Sequence, residues 1–140
     1  MSEEPAYLSP TMDGVRALLA RGIEGPVVML NLLRFRDVAD YAANPELAPD
    51  EPISGREAYR RYMEHTEPLV EASGGRVVFY GRGGPFLIGP ADERWDAALL
   101  VEQDSVSTFL SFGEDPAILA GLGHRTAALE DSRLLPLVGA

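Results

Sequence analysis

Residues 26–36, which read PVVMLNLLRFR, decide how this chain folds. The stretch has the length of one β-strand, and successive side chains of a strand point to opposite faces of a sheet. One face would carry Met29 and Leu33 with Asn31 between them, and the other would carry Leu30 and Leu32. Both faces are apolar, so each side of this strand needs a cover.

Two further segments, residues 76–82 and 95–101, show the same two-sided pattern. The helices of the chain can cover one side of a sheet built from these strands. For the other side we expect the same face of a second copy, which predicts a homodimer. In residues 76–82 the expected faces are Val77 with Phe79, and Val78 with Tyr80.

Helix signals lie between the strand segments. Ser9 and Pro10 predict the start of a first helix, as cap and first helical residue, so residues 1–25 form an N-terminal helical extension. Residues 37–53 contain three prolines and predict a long irregular loop, either a lid or partner contact or a tolerated surface insertion. Ser54 and Glu57 match a capping box at the start of the next helix.

Turn, helix and strand signals also follow one another in the second half of the chain. Glycines at 83 and 84 predict a turn after the strand, and Asp104 or Ser105 predicts the cap of a short helix. A helix is expected to restart at residues 115–116, and residues 125–131 look like one more helical segment. Residues 133–138 predict a final strand, which Pro136 places at a sheet edge.

Without the first helix, the order is strand, helix, strand, strand, helix, strand. This order predicts an α+β fold of the ferredoxin-like, or split βαβ, type: an antiparallel sheet with helices on one face. Residues 1–140 are expected to form one domain, because this length suits one core.

Composition narrows the function classes. The chain has no cysteine, which excludes disulfides, thiolate metal sites and a cysteine nucleophile. A net charge of −10 disfavours nucleic-acid binding. Residues 1–5 show no signal pattern and no apolar run suits a bilayer, so we expect a cytoplasmic protein without membrane contact. All twelve basic residues are arginine, which favours a bacterial, GC-rich genome.

Several short motifs resemble a bacterial family known as domain of unknown function 1330. The similarity runs from about residue 26 to the C-terminus, and the order and spacing of the motifs carry it. The motifs are VMLNLLRF at 28–35, Ser54-Gly55 with Ala58, Tyr59 and Tyr62, Gly74-Gly75-Arg76, Ile88-Gly89, Trp95-Asp96, and His124-Arg125 followed by Leu129-Glu130-Asp131-Ser132.

That resemblance implies the dimeric α+β barrel superfamily, in which two ferredoxin-like sheets face each other across a two-fold axis. Relatives there include cofactor-free monooxygenases, lactone isomerases and haem-dependent enzymes, so the fold does not fix a reaction. Members of the family often carry a tyrosine near the start of the last helix. Residues 112–118 read FGEDPAI here, and any role of that tyrosine cannot be transferred.

Three polar residues are the first candidates for a site. Asn31 lies in mid-strand, where a buried amide needs partners and could orient the polar group of a ligand or bond to a loop or a second copy. His124 could act as a catalytic acid–base group, or could cap or pack a helix. Arg125 could hold an anionic ligand, or could pair with Asp131 or Glu130.

Aromatic residues are the second set of candidates. Tyr59 and Tyr62 share one helical stripe and could line a ligand pocket or simply fill the core. Trp95, at a strand start, could form a pocket wall or pack. We expect no metal site, because His65 and His124 lie far apart. No cofactor is expected either, because the glycines at 81–84 lack a Walker lysine.

The sequence therefore predicts a binding protein for a small apolar or aromatic molecule with a polar group, in a pocket between sheet and helices. Such a protein could also be a cofactor-free enzyme of the monooxygenase or isomerase type, and the sequence does not decide this. The alternative is a non-catalytic dimeric module, whose polar residues serve the fold and the interface. An open cavity where Asn31, His124 and Arg125 meet would favour the ligand hypothesis.

Overall fold

The computed structural model describes residues 6–140. The expectation that residues 1–5 carry no signal pattern therefore lies outside the described residues. The helices are α1 (Met12–Ala20), α2 (Gly55–Ala72), α3 (Val106–Ser111) and α4 (Pro116–Ala128), and the strands are β1 (Val27–Phe35), β2 (Arg76–Pro85), β3 (Arg94–Gln103) and β4 (Leu129–Leu137).

The four strands form one antiparallel sheet in the order β2-β3-β1-β4. The first strand is central, because β3 and β4 pair with its two sides. Asn31 lies opposite Leu99 of β3 and opposite Leu134 of β4. The strand order and the intervening helices confirm the predicted ferredoxin-like fold.

One face of the sheet packs against the helices. Along β1 the residues alternate between buried and half-buried, and Met29, Asn31 and Leu33 are the buried ones at its centre. Leu33 belongs to a core that includes Tyr59 of α2 and Leu129 at the start of β4. The predicted face of Asn31 is therefore the helix-covered face.

The opposite face carries an apolar row across all four strands. Phe79, Leu100, Leu30 and Leu135 lie side by side in the registers of the sheet. Leu100 and Leu30 are half-buried by their neighbours, whereas Phe79 and Leu135 at the two edges are 60% and 54% exposed. Within residues 6–140 this face, which we call the open face, lacks the cover that the helices give the other face.

The first helix begins later than the sequence predicts. Thr11, not Ser9, is the N-cap of α1, and its hydroxyl accepts a hydrogen bond from the amide of Gly14 at 3.0 Å. The expected Ser9–Pro10 start is wrong because the chain just before it, at residues 7 and 8, is held by hydrogen bonds to β4 and α4. Arg125 donates a hydrogen bond to the carbonyl oxygen of Leu8, and the amide of Tyr7 donates to Asp131.

The second strand is longer than predicted and contains a β-bulge. Its pairing with β3 shifts between Val77 and Phe79, so Val78 is the extra residue. The bulge moves Phe79 to the open face and Tyr80 to the helix face, which makes the predicted grouping of Val77 with Phe79 wrong. The expected turn at Gly83 and Gly84 is also wrong, because β2 continues to Pro85.

The last helix is one unbroken element. Its N-cap is Asp115, whose carboxylate accepts a hydrogen bond from the amide of Ala117 at 2.9 Å, and the helix ends at Ala128. The expected helical segment at residues 125–131 is therefore wrong after Ala128, since β4 starts at Leu129. The edge position of the strand that contains Pro136 is confirmed.

The long loop at residues 37–53 is anchored to the rest of the fold. It contains one 3-10 turn, Pro45–Leu47, and its amide at Asp40 donates to the carbonyl of Ala127 at 2.9 Å. Gly123 of α4 lies so close to the loop that a Cβ there would approach Asn44 to 2.7 Å. In the described part of the chain, none of the helices has the length and apolarity to cross a membrane.

Candidate functional site

A cavity of about 290 Å³ lies between the helix-covered face of the sheet and the helices. Its floor is formed by β1, β3 and β2, through side chains that include Met29, Val77 and Val101. Its walls come from α2, α3 and α4, with Met63, Phe109 and Leu122 among the lining residues. We call this space the sheet cavity.

Asn31 lies in the floor of the sheet cavity and is only 8% exposed. Its amide nitrogen donates to the carbonyl oxygens of Met29 at 3.2 Å and Leu99 at 3.3 Å. Both of its donor hydrogens are thus used by the sheet backbone. No hydrogen bond to its Oδ1 occurs within residues 6–140, so this oxygen is the atom that can accept a bond from a ligand.

Tyr59 and Tyr62 line the same cavity from α2. Tyr59 is 1% exposed, and its ring packs on Tyr62 with the ring centroids 5.3 Å apart. Burial raises the pKa of both phenols, and the positive charge of Arg125 opposes the rise. Both hydroxyl groups are therefore neutral at physiological pH and can donate hydrogen bonds.

Two polar atoms of the cavity wall have no hydrogen-bond partner within residues 6–140. They are Oγ1 of Thr66 and Oε1 of Gln103, and both side chains are buried. A buried polar atom without a partner is costly. Both oxygens are fully enclosed by protein atoms and do not face the open cavity: the hydroxyl of Tyr62 lies beside Oγ1 of Thr66, and Gly75 lies beside Oε1 of Gln103.

Thr66 and Gln103 are not among the site residues predicted from the sequence, although their spacing contains the signal. Thr66 follows Tyr59 and Tyr62 on one helical stripe, at steps of three and four residues. Gln103 follows Leu99 and Val101 at the alternate positions of β3, which point to the cavity.

Arg125 lies at the edge of the sheet cavity, as part of α4. Its guanidinium donates to the carbonyl of Leu8 and to Oγ of Ser132, the latter at 3.3 Å. No carboxylate pairs with it among residues 6–140. The acids that the sequence analysis offered as alternative partners pair elsewhere, Asp131 with Arg34 and Arg133, and Glu130 with Arg34.

His124 does not line the sheet cavity. Its Nδ1 lies 2.8 Å from the phenolic oxygen of Tyr41 in the long loop. The imidazole therefore points to a different side of α4 than Arg125, which lines the cavity. Burial lowers the pKa of His124, with a smaller contribution from the charge of Arg61. The expected meeting of Asn31, His124 and Arg125 is thus corrected to a meeting of Asn31 and Arg125 alone.

Trp95 also lies outside the sheet cavity. Its ring contacts the guanidinium groups of Arg34 and Arg133, 5.3 and 5.0 Å from the ring centroid, and its indole nitrogen donates to Glu93 at 3.1 Å. The expected pocket wall at Trp95 is therefore corrected to a packing position under two cations.

The arrangement provides an apolar space with a few polar atoms at its wall. Asn31 offers an acceptor oxygen, the two tyrosines offer donors, and Arg125 offers a positive charge at the edge. Glu67 of α2 also lines the cavity and is half-buried. Within residues 6–140 no group of three or more His, Cys, Asp or Glu side chains is placed to hold a metal ion.

Two crystal structures of the RPA0582 protein of Rhodopseudomonas palustris, a protein of unknown function, are similar to this chain. The methylated form has a TM-score of 0.81 and 38% identity, over 96% of this chain and 96% of that one. The other has a TM-score of 0.78 and 40% identity, over 95% and 96%. Similarity at this level over almost the whole chain shows common family membership.

A third structure shows the fold alone. The At3g17210 protein of Arabidopsis thaliana has a TM-score of 0.50 and 12% identity, over 81% of this chain and 95% of that one. No protein-family model matches the chain, and the curated proteins gave no match. The resemblance to domain of unknown function 1330 therefore stays a prediction.

Proposed function

The chain belongs to the family of the RPA0582 protein of Rhodopseudomonas palustris, and from that premise we propose that it binds a small apolar or aromatic acid in the sheet cavity. The observation that supports this most is one apolar cavity whose wall carries the unpaired Oδ1 of Asn31 and the guanidinium of Arg125, which has no carboxylate partner within residues 6–140. A fold that used these side chains only for packing would gain by replacing them with apolar ones.

The polar groups divide the binding task between them. Arg125 holds the carboxylate, because it is the cavity's guanidinium and has no acid partner within residues 6–140. Asn31 accepts a hydrogen bond from a hydroxyl or amino group of the ligand. Tyr59 and Tyr62 form the aromatic wall, where an apolar body of the ligand removes its surface from water.

Catalysis is a second candidate function, and Glu67 is the observation that favours it. A cofactor-free conversion needs a group that accepts or donates a proton at the ligand. His124 was the expected group, but its imidazole lies against Tyr41 outside the cavity. The carboxylate of Glu67 lines the cavity and can take that role in an isomerase-like reaction.

We also propose that two copies associate through their open faces. The row of Phe79, Leu100, Leu30 and Leu135 is apolar from edge to edge, and exposed apolar surface of this extent marks an interface. If the open face of one copy packs on the open face of the other across a two-fold axis, the result is a closed dimer. A cytoplasmic location stays a prediction of the sequence.

Calorimetric titration tests the binding proposal with 3-phenylpropanoate as the probe and 3-phenylpropanol as its uncharged analogue. We expect the acid to bind more tightly than the alcohol, and Arg125→Gln to remove that preference. Asn31→Ala should weaken binding without changing the oligomeric state. Arg16→Gln, an arginine on the exposed side of α1, is the matched control and should bind as the wild type does.

The alternative, a non-catalytic dimeric module, predicts a different result. Neither the acid nor the alcohol would bind at millimolar concentration, while the oligomeric state would be unchanged by Arg125→Gln. Equal affinities of wild type and Asn31→Ala for the acid would remove Asn31 from the proposal.

A further inference from the structure

A second cavity of about 400 Å³ lies on the other side of Arg125. It is bounded by α1, by the edge strand β4, by α3, and by residues 7–11. Val15 and Leu18 of α1 face it across from Pro136 of β4. We call this space the N-terminal cavity.

The two cavities share a wall. Leu8, Phe109, Leu110, Arg125 and Leu134 line both of them. Arg125 is the charged side chain common to the two, and its guanidinium is held at this wall by the carbonyl of Leu8 and the hydroxyl of Ser132. An anion bound to Arg125 would therefore sit at the junction of the two spaces.

Apart from Arg125, the charged side chain that lines the N-terminal cavity is Arg133, and it is already paired. Arg133 pairs with Asp131 at 2.9 Å and its guanidinium lies over the ring of Tyr7, while the hydroxyl of Ser132 donates to the carbonyl of Tyr7. What this cavity offers a ligand is apolar surface, chiefly from Val15, Leu18 and Pro136. Its chemistry suits a hydrocarbon arm with no polar group.

We infer that the N-terminal cavity is the second lobe of the binding site, and that the ligand is a branched carboxylic acid with two apolar arms. This inference rests on the proposed function, because it needs the carboxylate to be bound at Arg125. A carboxylate at the shared wall has an apolar space on each side, so the carbon that bears it can extend one arm into each cavity. The sheet cavity takes the arm with a ring or polar group, and the N-terminal cavity takes the plain alkyl arm.

Two acids that differ in one arm test the inference by calorimetric titration. 3-Phenylpropanoate has one arm, and 2-butyl-3-phenylpropanoate adds a four-carbon arm at the carbon that bears the carboxylate. Because each buried methylene group favours binding, we expect the two-armed acid to bind at least about tenfold more tightly to the wild type. One enantiomer should account for most of the gain, since the two cavities differ in shape.

Val15→Trp fills the N-terminal cavity from α1 and should remove this gain, while the affinity for 3-phenylpropanoate stays within about twofold. Val15→Phe is the milder version, for use if the tryptophan variant does not fold. Ala17→Trp adds the same side chain at an exposed position of the same helix and should keep the full gain.

The outcomes separate this inference from the proposed function. If both acids bind equally, or if Val15→Trp weakens both equally, the second lobe is disproved and the sheet cavity remains a binding site. If 3-phenylpropanoate does not bind to the wild type at all, the proposed function fails and this inference fails with it.

Discussion

The phenolic oxygen of Tyr41 lies 2.8 Å from Nδ1 of His124, and the two rings meet edge to face with centroids 5.6 Å apart. This contact joins the long loop at residues 37–53 to α4. It also places the imidazole in partly buried surroundings, where burial lowers its pKa. The loop is therefore bound to the helix by a histidine whose pKa lies below its ordinary value.

Stability should depend on the protonation of His124. The unfolded chain binds this proton with a pKa of about 6.5, and the folded chain binds it more weakly, so the contribution of His124 is complete above pH 6.5. It is lost as the pH falls below 6.5 and through the lower pKa of the folded state. We expect the free energy of unfolding in urea to decrease from pH 7.5 to pH 5.5.

His124→Asn should flatten this part of the pH profile. Tyr41→Phe should keep the slope, because the imidazole stays buried without the phenol. An unchanged slope in His124→Asn would show that other groups cause it.

Gly55 should be the least replaceable residue at the start of α2. A Cβ at this position would lie 2.3 Å from the carbonyl oxygen of Arg36 and 2.6 Å from that of Ala128. Both are backbone atoms, so Gly55→Ala forces the start of α2 away from the residue that follows β1 and from the last residue of α4, and should lower the free energy of unfolding by about 1–3 kcal/mol. Gly113→Ala, with no atom within 4 Å, is the control and should change it by less than about 1 kcal/mol. Urea denaturation of both variants measures the difference, and equal losses would contradict the close packing at Gly55.

Thr66→Val should separate stability from binding. The substitution replaces an unpaired hydroxyl by a methyl group of the same shape, so we expect the free energy of unfolding to rise by on the order of 1 kcal/mol. The affinity for aromatic acids should stay unchanged, because the hydroxyl oxygen does not face the open cavity. Thermal denaturation and titration of the same preparation measure the two effects. A loss of stability would mean that Thr66 has a protein partner in solution.

The open face should control association. Phe79→Ser combined with Leu135→Ser interrupts the apolar row at both edges, and we expect the dimer dissociation constant to rise at least about tenfold in sedimentation equilibrium. Leu87→Ser is the control, because Leu87 is 99% exposed at the turn between β2 and β3 and lies outside the row. A wild-type protein that is monomeric at micromolar concentration would contradict the proposed dimer.

The sequence was sufficient for the fold because its strongest signals are local. The alternation around Asn31, the N-cap at Ser54 and the edge position of Pro136 each depend on a few neighbouring residues, and the structure agrees with all three. The carboxylate of Glu57, expected to complete a capping box with Ser54, instead pairs with Arg60. The bulge at Val78 was missed since one extra residue reverses the faces of a strand without a mark in composition. The start of α1 was missed because residues 7 and 8 are positioned by contacts with residues more than a hundred positions away.

The candidate site was predictable only in part. Asn31, Tyr59, Tyr62 and Arg125 line the sheet cavity, since strand and helix periodicity places them there. His124 precedes Arg125 by one position, and adjacent helical residues point about 100° apart. The contact of its imidazole with Tyr41 depends on the long loop, which the helical pattern does not reveal. The packing position of Trp95 could not be predicted locally, because the two arginines over its ring come from β1 and β4.

The location of the bound acid is the most direct test of this account. Nuclear Overhauser effects between the ring protons of 3-phenylpropanoate and methyl groups of the protein measure it, in a sample with labelled methionine, valine and leucine methyls. We predict contacts with Met63, Val77 and Val101 in the sheet cavity. Contacts confined to Leu30 and Leu135 on the open face, or none at saturating acid, would contradict the proposed site.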